Sequence, residues 1–176
     1  MAVIASLVVG ANQATSKDGS SRALSTPADR ERFLRRHRAA SAFIIGKKSA
    51  ETENYQGASV PIFVYSRSSE PLKFEHPLMQ QITVDRNLRD ITQLIDLRIE
   101  GDIVVEAGPT LLMALVEEGV VDIFELSISP IEGDGDFIDV EKLLQKFAID
   151  SDEVVDGTRL LSCRNQRNTS DRKYNP

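Results

Sequence analysis

Asp102-Ile103-Val104-Val105-Glu106-Ala107-Gly108-Pro109-Thr110-Leu111-Leu112 is the stretch on which the reading of the fold turns. Asp102–Glu106 is short and apolar, as in a strand. Gly108 breaks it, and Pro109 suits the first position of a helix. Leu111, Leu112, Leu115 and Val116 then recur at helical spacing, and Gly119 stands where a C′ residue is wanted. A strand that passes through glycine straight into a helix presents unsatisfied N–H groups and the positive end of a helix dipole, which together suit an anion. An ordinary strand–helix turn has the same punctuation. The GxGxxG dinucleotide fingerprint is absent. Glu106 falls at the strand's C-terminal end, where open α/β sheets hold ligands, and also where a helix-start carboxylate belongs.

Working outward, strands and helices alternate. Ala2–Val9, Ala42–Ile45, Pro61–Tyr65 and Gln81–Val84 read as strands. Thr26 is an N-cap, with Pro27 and Asp29 in the first turn of a helix running to about Arg38. On that helix Phe33, Leu34 and His37 are expected to share the buried face, with the arginines in solvent. Asn87–Leu97 reads as a further helix. Ala11–Leu24 reads as a loop and Glu132–Asp136 as a turn. In Val121–Pro130, Phe124, Leu126 and Ile128 alternate with Glu125, Ser127 and Ser129. Val140–Gln145 reads as a short helix. Ala148–Val155 and Thr158–Cys163 read as a hairpin across Asp156–Gly157. The pattern predicts one α/β domain over residues 1–164, with a mostly parallel sheet that turns antiparallel at its C-terminal hairpin. Residues 165–176 read as a mobile tail.

The chain has 176 residues, enough to bury a core without staples. A single cysteine, Cys163, excludes a disulfide framework and multi-cysteine metal sites, and it reads as a core residue. The net charge of −6 conceals nine Lys/Arg against three Asp/Glu in residues 1–50, and two against twelve in residues 101–150. That acidic balance disfavours nucleic acid. No apolar run is long enough to span a membrane, and Ala2–Val9 lacks a basic flank. A cytoplasmic setting is expected.

Gly46-Lys47-Lys48-Ser49 follows a strand, but Ser41 stands where a Walker A loop needs glycine. Two cations and a hydroxyl at a strand end suit a phosphate ester, and two solvated lysines explain the same residues. His37 and His76 lack metal-ligand spacing, and Asp134, Asp136 and Asp139 lack that of an EF-hand, so no metal is expected. Those aspartates read as turn and capping groups.

In order along the chain, Ala14-Thr15-Ser16-Lys17-Asp18-Gly19, Asp29-Arg30 with Phe33 and Arg38, Ala42–Gly46 with Ser49 and Glu53, Val105–Leu111, Val121-Asp122, Ser129-Pro130 and Gly133–Gly135 resemble the pyrimidine reductases of riboflavin biosynthesis. These form the C-terminal domain of the bifunctional deaminase–reductase and have the three-layer dihydrofolate-reductase-like fold, with flanking helices. Ala107 replaces the first glycine of the family's Glu-Gly-Gly-Pro pattern.

The resemblance implies an NADPH-dependent oxidoreductase, a homodimer, and a substrate like 5-amino-6-(5-phosphoribosylamino)uracil. It implies cofactor contacts at Thr15, Lys47, Lys48, Ser49, Glu53, Ser66, Gly108, Pro109, Thr110 and Leu111. Glu106 and Arg38 fall on the substrate side. A dihydrofolate reductase competes, because Thr26-Pro27-Ala28-Asp29 with Phe33 resembles its active-site helix. There Asp29 would be the catalytic carboxylate and the substrate a pterin. The chain has no tryptophan, which that helix's usual leader contains. Another small-molecule NADPH reductase, or a non-catalytic nucleotide-binding relative, are the remaining readings.

Overall fold

A computed structural model describes residues 2–52, 55–68, 70–83 and 99–165. Glu53, the expected helix Asn87–Leu97 and residues 166–176 of the expected tail lie outside them. The main strands are β1 (Val3–Val9), β3 (Ala42–Gly46), β4 (Ile62–Ser66), β5 (Met79–Thr83), β6 (Ile103–Glu106), β7 (Ile123–Ile128), β9 (Phe147–Val155) and β10 (Thr158–Asn165), with β2 (Ala14–Ser16) and β8 (Gly135–Phe137) pairing separately. The helices are α1 (Pro27–Ala39), α2 (Lys47–Thr52), α3 (Pro109–Glu117) and α4 (Val140–Leu144).

Among the described residues the large sheet runs β5-β4-β3-β6-β1-β7-β10-β9. β4 is parallel to β3 and β5, and β3 to β6. β10 is antiparallel to β7 and β9. The expected α/β architecture is therefore present. By contacts the chain forms two units, residues 1–4 with 37–120 and residues 5–36 with 121–176.

In the first unit Phe43, Ile45, Ile62, Val64 and Val104 form one buried cluster, which accounts for their apolar, β-branched runs. Helix α3 closes as read from the sequence. Gly119 has φ 69°, and the amides of Gly119 and Val120 donate to the carbonyls of Val116 and Leu115. That is the Schellman pattern, which needs a left-handed residue at C′. The Lys47–Ser49 segment, read from the sequence as a strand end, is the first turn of α2. Lysine, alanine and glutamate favour helix, and Lys47 pairs with Glu51 one turn on, at 3.8 Å.

In the second unit α1 starts where expected, and the Thr26 hydroxyl accepts from the Asp29 amide at 3.3 Å. Its buried face does not. Arg32 is 7% exposed while Leu34 is 38% exposed. The reason lies on the sheet. Arg32 donates to the carbonyls of Leu126 and Leu161, and Glu125 offers a carboxylate to both Arg32 and Arg36. The polar face of β7 is thus covered too, and Ser127 and Ser129 are buried.

The expected loop and turn each contribute a strand, because β2 and β8 pair across 121 residues. The C-terminal hairpin is as read. Asp156 and Gly157 have φ 48° and 79°, the left-handed pair that a two-residue hairpin turn requires. Asp139 caps α4 by accepting from the Lys142 amide, and Asp134 accepts from the Asp18 amide. Cys163 is fully buried.

Candidate functional site

Register places the site residues of the first unit. Ile45 stands opposite Glu106, and Gly46 opposite Tyr65. The carboxyl ends of three parallel strands therefore lie side by side, carrying Lys47 after β3, Ser66 at the end of β4 and Glu106 at the end of β6. This is the edge at which open α/β sheets hold ligands.

Gly108 has φ −62° and ψ 164°, ordinary extended backbone that any residue adopts. A Cβ there would meet nothing within 4 Å. Pro109 has no amide hydrogen, and the Leu112 amide donates to Gly108 O. Thr110 and Leu111 remain as first-turn amides with no intrahelical acceptor. Two such donors at a helix start, with open space around the Gly108 Cα, suit a phosphate group. Lys47 is 46% exposed and Lys48 is exposed, while Ser49 is half-buried. Ser66 is buried, and its hydroxyl accepts from the Ser68 amide at 3.1 Å. Arg38 is exposed in the last turn of α1.

Glu106 is largely buried. The Tyr55 hydroxyl donates to its Oε2 at 3.2 Å, and His37 Nε2 lies 3.8 Å from its Oε1. Neither Tyr55 nor His37 was among the expected site residues. Tyr55 sits in a polar segment with no periodicity, and it is 51 residues from Glu106. No local pattern signals such a pairing. Beside Tyr55 opens a cleft of about 570 Å³ whose lining includes Lys47, Glu51, Leu72, Phe74 and His76.

Thr15 and Asp29 belong to the second unit. Thr15 is buried and donates its hydroxyl to Asp136 O at 2.6 Å. The Asp29 carboxylate accepts from the Ser25 hydroxyl. Both are thus tied into local turn and cap structure. Among the described residues no three His, Cys, Asp or Glu side chains gather as metal ligands, and no helix is long and apolar enough to cross a membrane.

No protein-family model and no curated protein matches the sequence. Solved structures do match the fold. The diaminohydroxyphosphoribosylaminopyrimidine deaminase/5-amino-6-(5-phosphoribosylamino)uracil reductase of Thermotoga maritima superposes with a TM-score of 0.71 at 14% identity, over 93% of this chain and 56% of that one. Dihydrofolate reductase from Enterococcus faecalis, complexed with NADP(H), gives 0.67 at 14%, over 94% and 96%. The fold is dihydrofolate-reductase-like. A pyrimidine reductase-like protein from Corynebacterium diphtheriae has the same dihydrofolate-reductase-like fold, with a TM-score of 0.66 at 14% identity over 93% and 91% of the two chains. This chain spans about half of the Thermotoga protein and nearly all of the other two.

Proposed function

We propose that this chain is an NADPH-dependent reductase of the pyrimidine reductase kind, acting on a pyrimidine ribosylamine. The observation that carries it is the shared carboxyl edge of β3, β4 and β6, with an open helix start at Gly108 beside a largely buried carboxylate, Glu106. The residues fit the cofactor. The amides of Thr110 and Leu111, approached over Gly108 and Pro109, suit a pyrophosphate. Lys47, with Lys48 as its alternate, suits the adenosine 2′-phosphate. Ser49 and Ser66 supply hydroxyls, and Glu53 is a further cofactor contact.

When bound, NADPH supplies hydride; the chain supplies position and electrostatics. Glu106 holds the polar substrate, with Arg38 as a second contact. The pterin reading has less support, because Ser25 and the helix cap already account for Asp29. A homodimer in the cytoplasm belongs to the same proposal.

The test is NADPH oxidation with the pyrimidine ribosylamine, beside a dihydrofolate control. Turnover of the first and not the second is expected. NADPH binding without turnover on either, or on a panel of small carbonyls, would identify a non-catalytic relative instead.

A further inference from the structure

Glu106 is the middle member of a row of three side chains drawn from three elements of one unit. Tyr55, from the segment after α2, donates to Oε2 at 3.2 Å; His37, from the end of α1, brings Nε2 within 3.8 Å of Oε1. Each neighbour is itself held. The His37 ring lies on Phe43 of β3, with centroids 4.4 Å apart. Tyr55 is 7% exposed and belongs to the core cluster with Phe43 and Val104. Exposure falls inward along the row, from 33% for the His37 side chain to 13% for Glu106. The outer member meets water, and the inner one is screened from it. Among the described residues, the Tyr55 hydroxyl faces Glu106 from the loop, while β3 contributes the uncharged Phe43 ring against His37.

An imidazole and a carboxylate 3.8 Å apart stand just beyond hydrogen-bond distance, so a small side-chain approach brings them into contact for proton transfer. Resting on the reductase reading above, the reaction needs a proton donor. Reducing a C=N bond places hydride on carbon and moves the π electrons onto nitrogen, which takes a proton. The hydride donor is the reduced nicotinamide, which is left oxidised. We infer that the proton comes through this row: the Glu106 carboxyl gives it to the substrate nitrogen, His37 Nε2 returns one to Glu106 Oε1, and His37 recovers its own from water. Tyr55 holds Oε2 so that Oε1 stays towards His37. Glu106 is then the general acid, and His37 and Tyr55 are positioning residues that act through it.

The chain has two histidines, so His76 serves as an internal reference. Its Nδ1 accepts from the Leu78 amide at 3.2 Å. NMR titration of both imidazoles in the full chain, without cofactor, reads the pair directly. In Glu106→Gln the His37 midpoint falls by about one pH unit, because a neighbouring carboxylate has been removed, while His76 stays put. Equal His37 midpoints in the two proteins overturn the pair, whatever the chain catalyses. Tyr55→Phe keeps the ring packing and provides a second, milder variant, in which the His37 midpoint also shifts.

In turnover, His37→Gln lowers kcat by about 100-fold, with KM changed less than threefold, and added imidazole restores part of the rate. An active His37→Gln enzyme with the wild-type pH profile overturns the relay and leaves the reductase reading intact. A wild-type chain that reduces nothing overturns the reductase reading and proton delivery together, and the NMR result then decides the pair alone.

Discussion

Arg32 Nε on helix α1 lies 3.3 Å from Glu125 Oε2 on β7, with both side chains largely buried. Burial acts against the Arg32 guanidinium and Glu125 acts for it, so its proton is held less tightly than usual. The same carboxylate also takes Arg36. Glu125→Ala would therefore leave two guanidiniums in the interior without the carboxylate that pairs with both. A loss of about 3 kcal/mol is expected, measured by urea unfolding. Arg32→Met removes charge and supplies apolar volume, so it should cost clearly less. Equal costs for the two variants would overturn the stranded-charge account.

Gly108 separates folding from binding. Its backbone angles suit any residue, and a side chain there meets open space. Gly108→Val should leave the melting temperature within about 3 °C of wild type, as for a surface change. It should weaken NADPH at least 10-fold, about 1.4 kcal/mol, by calorimetry. Unchanged affinity in the folded variant removes the phosphate-turn assignment.

Lys47 and Lys48 bear on cofactor choice. A charge-assisted contact to phosphate contributes roughly 1.5–3 kcal/mol. Losing the lysine that makes it should weaken NADPH about 10- to 100-fold, with a smaller effect on NADH. Lys47 is the first to test, because it stands at the strand end and lines the cleft. If Lys47→Ala and Lys48→Ala both keep the NADPH/NADH preference, neither meets the 2′-phosphate.

Cys163 gives a pH prediction. Burial pushes its thiol up to about 11 from 9.0. At neutral pH the folded protein should react with a thiol reagent far more slowly than the unfolded chain. The folded state holds this proton more tightly than the unfolded state. Its contribution is therefore complete below about pH 9 and is lost as pH rises towards 11. Denaturant titrations from pH 8 to 11 should show that decline in wild type, and a flatter curve in Cys163→Ala.

The amino-acid sequence by itself determined the features written in neighbouring residues. The turn at Asp156–Gly157 follows from two positions that accept positive φ. The start of α1 follows from Thr26 and Pro27, and the end of α3 from Gly119. The buried parallel strands follow from unbroken runs such as Phe43–Ile45 and Ile103–Val105. In each case the deciding interaction spans a few residues, so the pattern carries it.

Tertiary structure alone decided what depends on distant partners. Arg32 is inside and Leu34 is not, because Glu125 and two sheet carbonyls wait 93 to 129 residues away. Ala14–Ser16 is a strand because Gly135–Phe137 pairs with it. Glu106 is visible in the sequence as a carboxylate at a strand end. That it sits between Tyr55 and His37 is a product of packing, since hydrogen-bond complementarity between remote segments leaves no periodic trace along the chain.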